Sequence, residues 1–293
     1  MKNRFVQIVV WLGIMAALTL LAMGVWVFVS GGSQSTESLK LLQLFQTIGT
    51  FLLPPVFVAM LCDENRKPFR WLGLSQKTDW KSFVWGVGIM VCAIPAINLL
   101  ADLNSRVELP ESLDFIEHFL RQQEENAAQL TERFLQADSI WGVVLNVGLL
   151  ALLPALSEEF TFRGTLQQIL GRNPGGENAL SREEKRRVHV AIWVTAFVFS
   201  AIHMQFYGFV PRMLMGALFG YCFVWSGSLW VPIVMHFTNN AVAVVSYHLS
   251  IKWADTIGAG SNWWLGLISL IVVIGLVLTF PGQREYVRRT RTQ

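Results

Sequence analysis

The sequence predicts an all-α polytopic membrane bundle of about eight transmembrane helices with both termini in the cytoplasm. Three observations carry this reading. The 293 residues are 53% hydrophobic and only 15% charged, against the ~25% charged residues usual in a soluble domain. Apolar runs recur at about 5–30, 41–62, 82–100, 140–159, 188–204, 210–226, 229–249 and 263–280, several of them near the ~20 residues that cross a hydrocarbon core. Lysine and arginine are divided unevenly between the connecting segments.

The first run follows Met1-Lys2-Asn3-Arg4 and exceeds the ~7 to 15 apolar residues of a signal peptide, so it predicts a retained first helix. The segment 63–81 after the second run holds Arg66, Lys67, Arg70, Lys77 and Lys81. The segment 163–187 holds Arg163, Arg172, Arg182, Lys185, Arg186 and Arg187, and the tail after Pro281 holds Arg284, Arg288, Arg289 and Arg291. The alternate segments carry Lys40, Arg106, Arg121, Arg133 and Lys252. Cytoplasmic loops are enriched in basic residues, which places both termini inside and predicts an even number of spans.

The external segment 101–138 carries nine acidic residues and three arginines. Its Leu113, Ile116, Leu120, Ala127, Leu130 and Phe134 fall roughly at helical spacing, predicting one or two amphipathic helices on the outer surface, read as a connector rather than a lid. Asn173-Pro174-Gly175-Gly176 predicts a turn, followed by a basic juxtamembrane stretch. Gly216 and Gly220 form a G-x-x-x-G that allows close helix packing. Residues 1–293 thus read as a single integral membrane domain, with the chemistry concentrated in 140–250.

Several function classes are disfavoured. No basic and aromatic array points to a nucleic acid. Cys62, Cys92 and Cys222 fall singly in separate apolar runs, supporting neither disulfides nor a thiolate metal site. No internal repeat is visible and the polar residues crowd the second half, which argues against an inverted-repeat transporter. There is no H-E-x-x-H and no G-x-S-x-G.

The polar residues themselves point to chemistry. Glu158 and Glu159 end a run that has no charge from Ile140 to Leu156, and ionisable groups inside a membrane are costly and usually functional. Glu159 and Arg163 are four apart and share a helix face, so they can pair; Glu158 points about 100° away, at ~3.6 residues per turn. His203 follows Phe199 by four, and His236 precedes Asn240 by four on one face. His118, His189 and His248 read as surface or interfacial residues. A buried glutamate beside a histidine can deprotonate water, while a second histidine and an asparagine can donate to a developing oxyanion. The same residue types allow a metal site: Glu158, His203 and His236 would give a divalent ion such as zinc three ligands with one position open for water. They equally allow hydrolysis without a metal.

Glu158-Glu159-x-x-x-Arg163, Phe199-x-x-x-His203 and His236-x-x-x-Asn240, in this order on successive helices, resemble the CPBP family of type II CAAX prenyl endopeptidases and bacteriocin-processing or self-immunity proteins. The resemblance covers roughly residues 141–247, with a weaker lead-in at Arg70 to Trp80. It implies an eight-helix, glutamate-dependent intramembrane endopeptidase, of a family commonly called metal-dependent. Glu158 and His203 would be catalytic, His236 and Asn240 would stabilise the oxyanion, and Glu159 and Arg163 would complete the site structurally. The implied partners are a membrane-associated protein or peptide substrate and the lipid bilayer, and the implied location is a bacterial inner membrane. A noncatalytic scaffold or immunity protein is the alternative reading, and a transporter the third. One tension stands in the sequence: Glu158 falls near the cytoplasmic end of its run, whereas His203 falls about 15 residues into its own. They meet only if the fifth helix starts outside the hydrocarbon or the fourth lies deeper. The expected site is a water-filled cavity open to the cytoplasm.

Overall fold

The computed structural model describes residues 1, 3–63, 67–171, 181–251, 256–283 and 286. Lys2, Arg66, Arg172, Lys252, the tail arginines Arg284, Arg288, Arg289 and Arg291, and the turn at Asn173 to Gly176 lie outside the described residues. The described chain is helices and turns without a strand. Its long helices are α1 (Arg4–Ser30), α2 (Thr36–Cys62), α3 (Trp80–Ser105), α4 (Asp114–Leu135), α5 (Ile140–Gly171), α6 (Arg182–Ala201), α7 (Phe206–Ser226), α8 (Trp230–His248) and α9 (Gly260–Leu278).

Short polar side chains fix many of the starts. Asn3, Ser35, Asp79, Ser139 and Ser181 each accept a first-turn backbone N–H, satisfying donors that have no partner inside a helix. Several helices carry prolines within their spans, among them Pro95 in α3, Pro211 in α7 and Pro232 in α8. Pro54 in α2 and Pro154 in α5 each follow a π-helical turn, at Thr47–Leu52 and Val147–Leu152. Proline cannot donate and its ring crowds the carbonyl one turn back, so a wider turn accommodates it without breaking the rod.

Six helices, α1, α2, α3, α5, α7 and α9, are long and apolar enough to cross a membrane, and the chain is an integral membrane protein. The other two expected spans, α6 and α8, form but are more polar. Helix α6 opens on Arg182-Glu183-Glu184-Lys185-Arg186-Arg187, and α8 carries His236, Asn239 and Asn240 on its inner turns. The helices that depart from the apolar pattern are those that bring polar side chains into the bundle.

Both ends of the bundle can be identified from contacts. At one end the Met1 ammonium donates to Leu61 O at 3.1 Å, Leu229 N–H donates to Gly73 O at 3.0 Å, and the Trp225 and Phe280 rings pack 5.8 Å apart. The N-terminal residue and residues 280–283 therefore lie at the same end of the bundle, in agreement with an even number of crossings. At the other end Asn104 Nδ2 donates to Phe206 O at 3.0 Å and Asn98 Nδ2 to Ile257 O at 3.0 Å.

Helix α4 lies at this second end as one 22-residue amphipathic helix. It is fastened there rather than loosely draped. Arg121 stands 4.4 Å over the Tyr207 ring, and Arg133 Nη2 donates to Gln34 O at 3.2 Å. Glu117 accepts the Leu109 N–H at 2.7 Å and pairs with Arg121 at 2.7 Å. That backbone donor first, and the guanidinium second, hold its carboxyl below the ordinary carboxylate range. Nearby, buried Asn146 accepts from Lys40 Nζ at 2.8 Å, donates to Leu135 O at 2.8 Å and meets His248 Nε2 at 3.4 Å, tying α2, α5 and α8. His118 is paired with Asp114 at 3.5 Å on the exposed face of α4, and His189 is exposed beside the Tyr221 hydroxyl.

The G-x-x-x-G packs α7 against α6. A Cβ added at Gly220 would stand 2.7 Å from Gln167 Oε1 and 2.9 Å from Ile192 Cγ2. Gly220→Val should therefore lower the stability of the purified protein by about 1–3 kcal/mol through overpacking, read as a lower unfolding temperature in detergent. An unchanged midpoint would show that α6 and α7 have room to separate.

Candidate active site

The glutamates sit inside α5 rather than at its end, because the helix runs on through a third π-helical turn at Phe162–Gln167 to Gly171. Helix α6 also begins six residues before the apolar run that predicts it, at Arg182, where Ser181 and Glu184 form a reciprocal capping box. Both changes relieve the depth mismatch. The Ser-x-x-Glu at 181–184 was the readable signal for the second.

Glu159 and Arg163 form the expected pair, with Arg163 Nη1 donating to Glu159 Oε1 at 2.7 Å and both side chains 0% exposed. The guanidinium also donates through Nη2 to Gly216 O at 2.9 Å. It lies between two rings, 4.6 Å from the Phe199 centroid and 5.3 Å from the Phe219 centroid. Gly216 permits this approach, since a Cβ there would stand 3.2 Å from Arg163 Nη2. The same Glu159 Oε1 meets His236 Nδ1 at 2.9 Å. His236 is further held by stacking on Phe219 at 5.4 Å and by the edge of Phe199 at 6.0 Å. A carboxylate on Nδ1 fixes the imidazole orientation and leaves Nε2 for chemistry.

His236 Nε2 faces Glu158 Oε2 at 3.8 Å. Glu158 is the acidic group with access to solvent: its side chain keeps 19% exposure while its neighbour Glu159 keeps none. The sequence argument from the two helix faces therefore meets this division: one carboxylate is consumed in structure and the other is available. Asn240 lies one helical turn beyond His236. Its Oδ1 accepts from Asn239 Nδ2 at 3.1 Å, leaving its own Nδ2 without a protein acceptor among the described residues.

His203 is placed differently from expectation. It lies two residues beyond the end of α6, in the turn to α7, because the chain unwinds at Ile202 and reverses through Met204 at φ 53°. Its Nδ1 donates to the Phe199 carbonyl at 2.8 Å. A carbonyl can only accept, so Nδ1 carries the proton and Nε2 holds a lone pair. No hydrogen bond or ion pair joins His203 to Glu158. The histidine in contact with Glu158 is His236, and His203 is reached through Phe199, whose ring lies 5.2 Å from its own.

The proposed metal donors do not form a ligand set in this arrangement. Among the described residues, no group of three His, Cys, Asp or Glu side chains stands close enough to hold a metal ion. Glu158 and His236 are near one another, but His203 does not join them.

Two residues at the site escaped the sequence reading. Arg212 of α7 donates through Nη2 to Gln205 Oε1 at 2.5 Å. It lies within electrostatic reach of both Glu158 and Glu124 of α4. The signal was present in the sequence: Arg212 is the single charge in the run 210–226, and a lone intramembrane charge marks a functional site.

Glu158, His203, Gln205, Arg212 and Asn240 are partly exposed, and Arg212 links Glu158 and Gln205 to Glu124 of α4. Toward the opposite end the site is closed by fully buried side chains. Gly164 packs against Leu72 and Leu229, each 0% exposed. The expected opening lies on the side of the chain termini, where the side chains packed on Gly164 are fully buried. The apolar plug formed by the 71–74 turn and the α7 to α8 link occupies that side.

Comparison with known proteins is consistent with this concentration of chemistry. The uncharacterized protein YpbD of Bacillus subtilis (strain 168) is 29% identical over 97 residues, 32% of this chain, and the chain spans 41% of that relative's length. No solved structure matches the chain. Residues 140–242, which contain all six motif side chains, match the family described as type II CAAX prenyl endopeptidase Rce1-like.

Proposed function

We propose that the chain is an intramembrane endopeptidase in which Glu158 activates water. The observation that carries this reading is the split between two adjacent glutamates, one sealed into an ion pair with Arg163 and the other partly exposed, 3.8 Å from an oriented histidine. Glu158 draws a proton from water lying between it and His236 Nε2, and the oxygen attacks a peptide carbonyl. Such positioned general bases contribute about 10²–10⁴-fold. His236 relays the proton to the departing amine, its Nδ1–H held by Glu159. Asn240 Nδ2 supplies a donor for the oxyanion. His203, with its proton committed to the Phe199 carbonyl, keeps Nε2 as a free acceptor beside the site, open to a substrate donor.

The substrate class is a membrane-associated protein or peptide. A C-terminal CAAX-type prenylated segment is one candidate, taken from the matched family's description. The membrane is proposed to be a bacterial inner membrane. The test is cleavage of membrane-anchored and C-terminally prenylated peptides by the purified protein in liposomes, wild type against Glu158→Gln. Cleavage by the wild type alone supports the proposal. If instead a cellular phenotype of the gene persists in the Glu158→Gln and His236→Gln variants, partner binding is the function.

Substitutions at Asn240 separate roles within this scheme. Asn240→Ala should lower kcat about 10²–10³-fold with KM nearly unchanged, as expected for a donor used only in the transition state. A change confined to KM would move Asn240 from the oxyanion to substrate binding.

A further inference from the structure

The two ends of the bundle differ in charge as well as in their relation to the site. At the end shared by Met1 and residues 280–283 lie Arg4, Lys67, Arg70, Lys77, Lys81, Arg182, Lys185, Arg186 and Arg187. The α4 end carries Lys40, Arg106, Arg121 and Arg133, together with the nine acidic residues of 101–138. The basic end is the cytoplasmic one by the bias that orients membrane proteins.

The site opens the other way. Below Glu159 and Arg163 the chain is packed solid: Thr165, Leu72 and Leu229 are fully buried. Above them a succession of polar groups runs from Glu158 to Arg212, and from Arg212 to Gln205 and to Glu124 on α4. Met204, in the turn that carries His203, is 59% exposed at this rim. Polar side chains inside a bundle mark the path of water and substrate, and here that path leads to the acidic end.

We infer that the active site is reached from the non-cytoplasmic side of the membrane, beneath α4. The substrate class that follows, resting on the endopeptidase reading, is a polypeptide segment presented at the outer face, such as part of an exported or membrane-anchored chain.

Cysteine labelling tests the sidedness without reference to activity. In a background with Cys62, Cys92 and Cys222 replaced by serine or alanine, Met204→Cys reports the rim, Phe115→Cys the 85% exposed face of α4, and Lys77→Cys the opposite end. A membrane-impermeant maleimide applied to intact cells should modify Met204→Cys and Phe115→Cys, and reach Lys77→Cys only after permeabilisation. Modification of Phe115→Cys from outside with Met204→Cys reached only from inside, or not at all, overturns the proposed route. The reverse pattern at Phe115 and Lys77 overturns the orientation itself. Either failure leaves the endopeptidase reading intact if peptide cleavage still depends on Glu158.

Discussion

Glu158→Gln is expected to abolish measurable peptide hydrolysis, a fall in kcat of about 10³-fold within the range of a positioned general base, while unfolding in detergent stays close to wild type. The two halves of this expectation come from the same geometry. Among the described residues the Glu158 side chain forms no hydrogen bond; it is 19% exposed, and its Oε2 stands 3.8 Å from His236 Nε2. The glutamine side chain has nearly the same volume and replaces an acceptor that no donor depends on, so the fold has little to lose. Proton abstraction has no substitute: the other acidic group, Glu159, is committed to Arg163 and His236 through Oε1. The check is the initial rate of cleavage in liposomes beside the unfolding midpoint of the same preparation. A variant that keeps more than about a tenth of wild-type turnover removes Glu158 from the mechanism.

Removing Arg163 is expected to do the opposite, destabilising the protein before any question of catalysis arises. Arg163→Met leaves the Glu159 carboxylate fully buried with only His236 against it. Breaking one partner of a buried pair costs about 3–5 kcal/mol, because the remaining charge is uncompensated. The same change removes a hydrogen bond to Gly216 O and the two ring contacts of the guanidinium. Arg163→Met combined with Glu159→Gln should recover a substantial part of this loss, since no isolated charge is left behind. Denaturant unfolding in micelles compares the single and double variants. Equal stability of Arg163→Met and wild type would mean that the pair contributes orientation of His236 alone.

The polar motifs were legible because membrane interiors tolerate so few charges. Glu158, Glu159 and Arg163 stand out against 17 uncharged residues from Ile140 to Leu156, and the i, i+4 rule assigns Arg163 to Glu159 without coordinates. Helix ends were read less well. The apolar run marks where a helix is wet by lipid, whereas its ends are set by caps and by neighbours: Ser181 and Glu184 start α6 early, and α5 continues to Gly171 under packing from α6. Arg212 was readable by the same rule as the glutamates but stood alone, without a motif to draw attention to it.

The sequence by itself determined a helical membrane bundle, its basic and acidic ends, and the set of polar side chains available for chemistry, because hydropathy and charge are local properties of the chain. Tertiary structure decided which of those side chains meet. Glu158 faces His236 rather than His203 because the chain leaves α6 at Ile202, and Leu72 and Leu229 pack on Gly164, one turn from the glutamates. Such contacts join residues far apart along the chain, and their distances depend on packing that no local pattern encodes.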